Sequence, residues 1–497
     1  MKHLKSLRAF IEALKQIGEV QEIDEEVDWD LEMSAITRRS MDLRAPMPVF
    51  NKIKNIAGFR ALGAPGGLSA KKSYKYSRVN IALGVEADAS PLEVIEKLVA
   101  ARKRDLIPPV ISQNKKVPCK ENVWIGDDVD LLKLPTPKIH MKDGGRYLQT
   151  FGLNIVTTPD GSWTNWSINR MMLIDKTRLA CLIPPNQHLG MIHAKWKEKG
   201  APTPVAIALG VEPGLPYVGG MPVPENVDEA AYLGAYFNEP LELVRAETVN
   251  ILVPATAEII IEGHISHIDV YEEGPMDEYP GYVGDEGSPK PVLHVSAITY
   301  RDNAILPFAV AGTPVDENHT GWGLPHAAET LYLLRSSGLP VSMCWIVLES
   351  ANHWMVVAVR KDWHEITNLS SKEVAEAIGN VVFHSKAGFG IAKIILLEDD
   401  IDVTNPEEVI WAFASRAHPY HSEIYFSEQA QNILPVFLEP TEKQRFKVTK
   451  VIYNCLLADR FDRDKRPVRS DFNNAWPASL QEKVLQNWKN YGYSDEG

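Results

Sequence analysis

The sequence is poor in cysteine. Cys119, Cys181, Cys344 and Cys455 are the only thiols in 497 residues. No two have C-x-x-C spacing, which excludes a zinc knuckle and a dithiol redox motif. So few thiols in so large a chain fit a reducing, cytoplasmic compartment. Long apolar runs are also lacking: Val341–Leu348 is among the longest, far below the roughly 18 residues of a membrane span. Basic charge is scarce too, with 52 Lys and Arg against 65 Asp and Glu and a net charge of −13. A nucleic-acid partner, which needs a basic face, is therefore not expected. Lys71-Lys72 is only a pair, and Asp462-Arg463-Asp464-Lys465-Arg466 mixes both signs as a solvated surface does. The phosphate loop, the H-E-x-x-H helix, the G-x-S-x-G elbow and a G-x-G-x-x-G after a strand are all missing. Gly210–Gly220 is glycine-rich but wrongly spaced, and reads as a loop before Met221-Pro222.

What is present is an ordinary globular balance, 45% hydrophobic and 24% charged. The length predicts about two to four domains and a core that needs no staples. The chain opens on an amphipathic helix, not a signal peptide: Leu4, Leu7, Phe10, Ile11, Leu14 and Ile17 share one face, and Gly18 ends it. Residues 1–105 mix helical patterns, near 4–17, 29–41 and 91–103, with short strands, and Pro108-Pro109 marks a boundary. Residues 106–310 are strand-rich, with runs at Gly152–Thr158, Thr164–Ile174, Thr248–Val253 and Glu258–His264, which suggests a barrel or strongly curved sheet. From 311 to 440 strands (Val341–Leu348, Trp354–Val359, Ala392–Leu397) alternate with helical patterns (Ala327–Ser336, Ser371–Ala377), as in an α/β layer domain. The tail, 441–497, ends in an amphipathic helix near 478–490.

Four segments carry chemistry. In Thr164-Asn165-Trp166-Ser167-Ile168-Asn169-Arg170, the Asn carbonyl is a hard oxygen ligand and the Arg can grip a carboxylate or phosphate in bidentate fashion. The same alternation is also what a half-exposed strand shows. Strict alternation puts Asn165 and Arg170 on opposite faces, so a joint role requires a bulge, bend or strand end between them. His188, after Pro184-Pro185-Asn186-Gln187, is held on a short leash as a metal ligand must be, although a lone His is more often a surface or core residue. Asn226-Val227-Asp228-Glu229 opens a helical pattern, either as a capping box of Asn226 and Glu229 or with Glu229 free to ligate. Asn, His and Glu together suit Mn²⁺ or Mg²⁺ when phosphate oxygens complete the shell. Glu272, Glu273, Asp277 and Glu278 crowd a loop bounded by Gly274-Pro275 and Pro280-Gly281. Clustered carboxylates raise at least one pKa, which serves a general acid; a solvated acidic loop is the alternative.

At these segments the chain resembles the UbiD-type decarboxylases, in particular the ferulic and cinnamic acid decarboxylase branch. The matching stretches are Thr164–Arg170, Gln187-His188, Met221–Glu225, Val253–Thr256, Glu273–Tyr282, Tyr300–Pro307, Asp399–Asp402 and the closing Asn487–Tyr493, in order over almost the whole chain. The resemblance implies an α/β (α+β multidomain) fold: an N-terminal α/β domain, a central split β-barrel binding prenylated FMN, and a C-terminal α/β dimerisation domain. It implies that Asn165, His188 and Glu229 hold Mn²⁺ (or Mg²⁺). Trp166, Ser167, Ile168, Asn169, Arg170, Gln187 and Lys386 would join them around the cofactor. A potassium ion would sit near Trp166, Gly219, Met221 and Glu229. Arg170, Glu273 and Glu278 would be the catalytic trio, with Glu278 the proton donor. Asp277 stands where relatives usually carry Gly, which leaves open which carboxylate faces the substrate.

The implied reaction is reversible non-oxidative decarboxylation of an unsaturated, aromatic or heteroaromatic acid by a homodimer or higher homo-oligomer, with a flavin prenyltransferase supplying the cofactor. Tyr279, Asn318 and Trp322 would line the substrate pocket. A bulky Trp322 and a polar Asn318 favour a small acid such as pyrrole-2-carboxylate over a phenylacrylic acid of the cinnamic or ferulic type. Alternatively Trp322 faces the core and Asn318 caps a turn. Two other classes stand beside the decarboxylase: a non-catalytic flavin-binding assembly subunit, disfavoured by the complete Arg170, Glu273 and Glu278 set, and a metal-dependent hydrolase, which lacks an obvious open-position ligand set.

Overall fold

The computed structural model describes residues 3–114, 116–284, 286–457, 460–461 and 465–494. Asp462, Arg463 and Asp464 of the mixed-charge run lie outside the described residues. Among the described residues no helix is long and apolar enough to cross a membrane.

The opening helix, Leu7–Gln16, buries Leu7, Phe10, Ile11 and Leu14, and the Ser6 hydroxyl caps it by accepting from the Ala9 amide at 3.2 Å. It packs beside a four-stranded sheet ordered Val20–Val27, Met47–Ile53, Phe59–Gly63, Ala304–Phe308. The last of these pairs parallel with Phe59–Gly63, although some 240 residues separate them. The N-terminal sheet therefore borrows a strand from the end of the strand-rich region.

The central sheet has nine strands. Its path runs Tyr147–Gln149, Met171–Leu173, Arg178–Cys181, Ser288–Tyr300, Ile259–Glu273, Thr203–Leu209, Gly152–Thr157, Thr164–Ser167, with Asn122–Ile125 pairing to Ser288–Tyr300. Laid flat, six inter-strand steps would put Thr164–Ser167 about 29 Å from Met171–Leu173. Only Ile168, Asn169 and Arg170 join them, and Ser167 to Met171 can span at most about 14 Å. The sheet must therefore curl until its edges nearly meet, as an incompletely closed barrel. The central strand Thr203–Leu209 is apolar on both faces: Val205, Ile207 and Leu209 enter one core cluster, and Ala206 and Ala208 another. This is why it reads as a continuous apolar run.

The third sheet is ordered Val341–Ile346, Trp354–Val359, Lys393–Glu398, Lys447–Asn454, Glu423–Ala430. The helices Glu317–Ser336 and Ser371–Phe383 pack on it, giving the expected α/β layers.

Four local expectations are corrected. The run Thr164–Ile174 is two strands, Thr164–Ser167 and Met171–Leu173, with 168–170 in neither. Thr248–Val253 yields only Leu252–Pro254, in a small sheet with Glu242–Arg245 and Val110–Ile111. Gly210–Gly220 contains a short helix, Leu215–Gly219, started by Leu215-Pro216. The capping box of Asn226 and Glu229 is absent: Asn226 is left-handed (φ 65°), and Asp228 caps the helix Glu229–Phe237 by accepting from the Ala230 and Ala231 amides. Moving the cap two residues along puts Glu229 at the first helical position, where its carboxylate is free of capping duty.

Candidate active site

The break at 168–170 is the strand end that a joint role of Asn165 and Arg170 requires, and it divides the site into two halves. On one side Asn165, 1% exposed, donates through Nδ2 to Glu229 Oε1 at 2.8 Å, while the Trp166 amide donates to Glu229 Oε2 at 2.9 Å. His188 opens the helix His188–Glu198, with Gln187 at its cap position. Its Nδ1 lies 3.9 Å from Glu229 Oε1 and 3.5 Å from Asn165 Nδ2. Asn169 ties the segments together: its Nδ2 donates to Gln187 Oε1 at 3.2 Å and to the Leu182 carbonyl at 3.3 Å, and the Ser167 hydroxyl donates to its Oδ1 at 2.9 Å. Ile168 packs against the main core. Lys386 Nζ lies 2.9 Å from His188 Nε2 and 3.2 Å from the Val223 carbonyl.

The electrostatics of this half suit a cation. Burial, reinforced by the Lys386 charge, lowers the His188 pKa to about 4, so at neutral pH the ring keeps a lone pair. Burial pushes the Glu229 carboxyl up to about 8, a group that a neighbouring cation returns to its charged form. Among the described residues Asn165 Oδ1 is buried without a hydrogen-bond partner, so its lone pairs are free to meet a cation. The donor set of one amide oxygen, one imidazole and one carboxylate therefore fits Mn²⁺ or Mg²⁺. Gly219 ends the short helix Leu215–Gly219, where carbonyls lack intrahelical partners. It lies so close to Trp166 that a Cβ there would stand 3.4 Å from the Trp166 carbonyl oxygen, and Met221 follows two residues on. Lys386 is held down to about 8 by burial, partly offset by Glu229 and Glu225.

On the other side of the break Arg170 meets both acids. Its Nε and Nη2 donate to Glu273 Oε1 and Oε2 at 2.9 and 3.1 Å, a bidentate fork, and its Nη1 donates to Glu278 Oε1. The two carboxylates are not equivalent. Glu273, at the end of the strand Ile259–Glu273, is 1% exposed and also accepts from the Tyr147 hydroxyl at 2.8 Å; Glu278 is 29% exposed. Burial and the Glu273 charge raise the Glu278 pKa, with Arg170 pulling the other way. Glu278 thus remains a proton carrier at higher pH than an ordinary glutamate. Burial opposes the Arg170 charge, but Glu278 and Glu273 outweigh it and raise its pKa.

The acidic loop is thus not a uniformly solvated one: Glu272 is exposed, Glu273 is buried, and Asp277 turns away to the Gly284 amide at 3.0 Å and toward His140. The Tyr279 hydroxyl accepts from Asn432 Nδ2 at 3.2 Å, and its ring lies 6.5 Å from that of Trp322. Trp322 is half-buried and stacks on His326 at 3.8 Å. Asn318 stays within its own turn, its Nδ2 donating to Asp316 Oδ1 at 3.1 Å. Tyr147, His140 and Asn432 were not legible in the sequence: each meets its partner more than 100 residues away, and no local motif marks it.

Three family models match the chain: the 3-octaprenyl-4-hydroxybenzoate carboxy-lyase N-terminal domain over 11–98, the Rift-related domain over 110–314 and the C-terminal domain over 319–455. The sequence is 40% identical to pyrrole-2-carboxylic acid decarboxylase of Pseudomonas aeruginosa, over 98% of each chain. It is 35% identical to ferulic acid decarboxylase 1 of Saccharomyces cerevisiae, again over 98% of each. Among solved structures it resembles an evolved dimeric form of the UbiD-class enzyme HmfF from Pelotomaculum thermopropionicum in complex with prFMN, at 25% identity and TM-score 0.78, covering 96% of this chain and 100% of that one.

Proposed function

The chain belongs to the UbiD family of carboxy-lyases and is a decarboxylase, and on that premise we propose that it removes CO2 from a small heteroaromatic acid such as pyrrole-2-carboxylate. The observation that carries the mechanism is the unequal pair on Arg170: Glu273 buried and gripped by a fork, Glu278 half-exposed with a raised pKa. Arg170 orients the substrate carboxylate. Glu273 holds the guanidinium in place. Glu278 delivers a proton to the carbon that loses CO2 and recovers one afterwards, so the same residue serves the reverse direction.

Prenylated FMN, when bound, supplies the electron sink that no side chain here offers. Asn165, His188 and Glu229 would hold Mn²⁺ or Mg²⁺ beside its phosphate, with Lys386, Gln187 and the 165–170 segment around it. Main-chain oxygens near Trp166, Gly219 and Met221, with Glu229, would hold K⁺. The cofactor's origin would be a flavin prenyltransferase, and the working compartment the cytoplasm. A homodimer is supported by the apolar side chains left open in the C-terminal part: Trp411 is 47% exposed, Trp476 50% and Leu485 64%, and the helix Ala478–Gln486 buries none of its residues.

The small-substrate reading rests on Trp322 facing Tyr279, and on the 40% identity to a pyrrole-2-carboxylic acid decarboxylase. Protein co-expressed with a flavin prenyltransferase should show higher kcat/KM for pyrrole-2-carboxylate than for cinnamate. A clear preference for cinnamate would defeat the small-pocket reading. No CO2 release from a broad acid panel, with the cofactor spectroscopically present, would defeat the mechanism.

A further inference from the structure

The loop that carries Glu278 is held by a segment outside the trio. The Gly144 amide donates to the Pro275 carbonyl at 2.8 Å, and a Cβ on Gly144 would fall 2.0 Å from the Gly274 oxygen, so the two backbones touch. Four residues before Gly144 stands His140. Its Nε2 lies 2.8 Å from the Ala311 carbonyl, which can only accept, so Nε2 carries a proton. Nδ1 then faces two carboxylates, Asp143 Oδ1 at 3.3 Å and Asp277 Oδ2 at 3.8 Å. Each carboxylate is fixed through its other oxygen by a backbone amide: Asp143 Oδ2 by that of His140 at 2.9 Å, Asp277 Oδ1 by that of Gly284 at 3.0 Å.

A bare lone pair at Nδ1 would be repelled by both acids, whereas a second proton makes each contact attractive. Burial works against that proton, but Asp143 and then Asp277 outweigh it and raise the His140 pKa. Among the described residues, the carboxylates within 4 Å of the ring nitrogens are these two. Arg38, beside Gly312 on the Ala311 side, is engaged with Asp42 at 2.8 Å and Asp316 at 3.8 Å.

We propose that the His140 imidazolium, gripped by Asp143 and Asp277 and anchored on the Ala311 carbonyl, is a positioning residue that fixes where the adjacent Glu278 delivers its proton. The proposal rests on Glu278 being the proton donor. It gives Asp277 a role distinct from that of the acid: a tether that stands one residue before Glu278 and aims it. Below the His140 pKa the latch is closed; it opens as pH rises through that value.

The test uses the flavin-loaded enzyme. In His140→Gln, kcat should fall about tenfold or more, as a misplaced catalytic group does. Flavin content and unfolding midpoint should be kept, KM should change by less than about twofold, and the alkaline limb due to His140 should be lost. Hydrogen–deuterium exchange at the imidazole C2, read by mass spectrometry, should give wild-type His140 a pKa above the ordinary value of about 6.5, and Asp277→Asn should lower it. A His140 that titrates at or below the ordinary value overturns the proposal. So does an unchanged kcat and pH profile in His140→Gln, or a divalent ion that chelation removes from wild type and His140→Gln never binds. Wild-type protein without turnover sinks the functional reading instead, while the exchange measurement still decides whether the latch exists.

Discussion

Replacing Glu278 by glutamine separates catalysis from folding. Glutamine keeps the shape, and its Oε1 can still accept from Arg170 Nη1, but it has no proton to give. Loss of a positioned general acid lowers turnover by about 10²–10⁴-fold, or about 3–5 kcal/mol of barrier at roughly 1.36 kcal/mol per tenfold. Stability should barely change. Glu278 is 29% exposed, and a partly exposed pair of this kind contributes about 0–1 kcal/mol. The assay is CO2 release from pyrrole-2-carboxylate, with flavin absorbance and a denaturation curve on the same preparation. The pH dependence follows from the raised Glu278 pKa: the protonated acid persists above the ordinary glutamate range, and turnover falls as pH rises through the raised value. That limb should vanish from whatever activity remains in the variant. Near-normal turnover in Glu278→Gln, beside inactivity in Asp277→Asn, would refute the assignment and move the acid to Asp277.

Arg170→Met should be inactive and also destabilised by about 3–5 kcal/mol, because Glu273, 1% exposed, keeps among the described residues only the Tyr147 hydroxyl as donor. A denaturation midpoint equal to wild type would show that Glu273 finds another partner. His188→Ala should lower both manganese and flavin content, since it removes the neutral imidazole beside Asn165 and Glu229; a fully loaded variant, judged by elemental analysis and absorbance, would take His188 out of the metal site.

Much of this molecule was legible in its sequence because the relevant signals are local. The opening helix follows from its apolar spacing, and the alternation after residue 311 announced α/β layers. The Asn165–Arg170 stretch and the acidic loop were visible as unusual polar groups in strand and turn contexts. The sequence also stated the condition for their joint use, an interruption between Asn165 and Arg170, which the structure supplies at 168–170. Tertiary structure alone decided the rest. Glu229 became available because Asn226 turned left-handed and ceded the cap to Asp228, a one-residue backbone choice that composition does not encode. Tyr147 reaches Glu273 across 126 residues, and His140 reaches Asp277 because Gly144 lets two backbones touch. Periodicity reports which face of an element is buried. It does not report which distant element buries it, and here that was decided by a sheet curled until Ser167, on one edge strand, and Met171, on the strand next to the opposite edge, came within a few peptide units of each other.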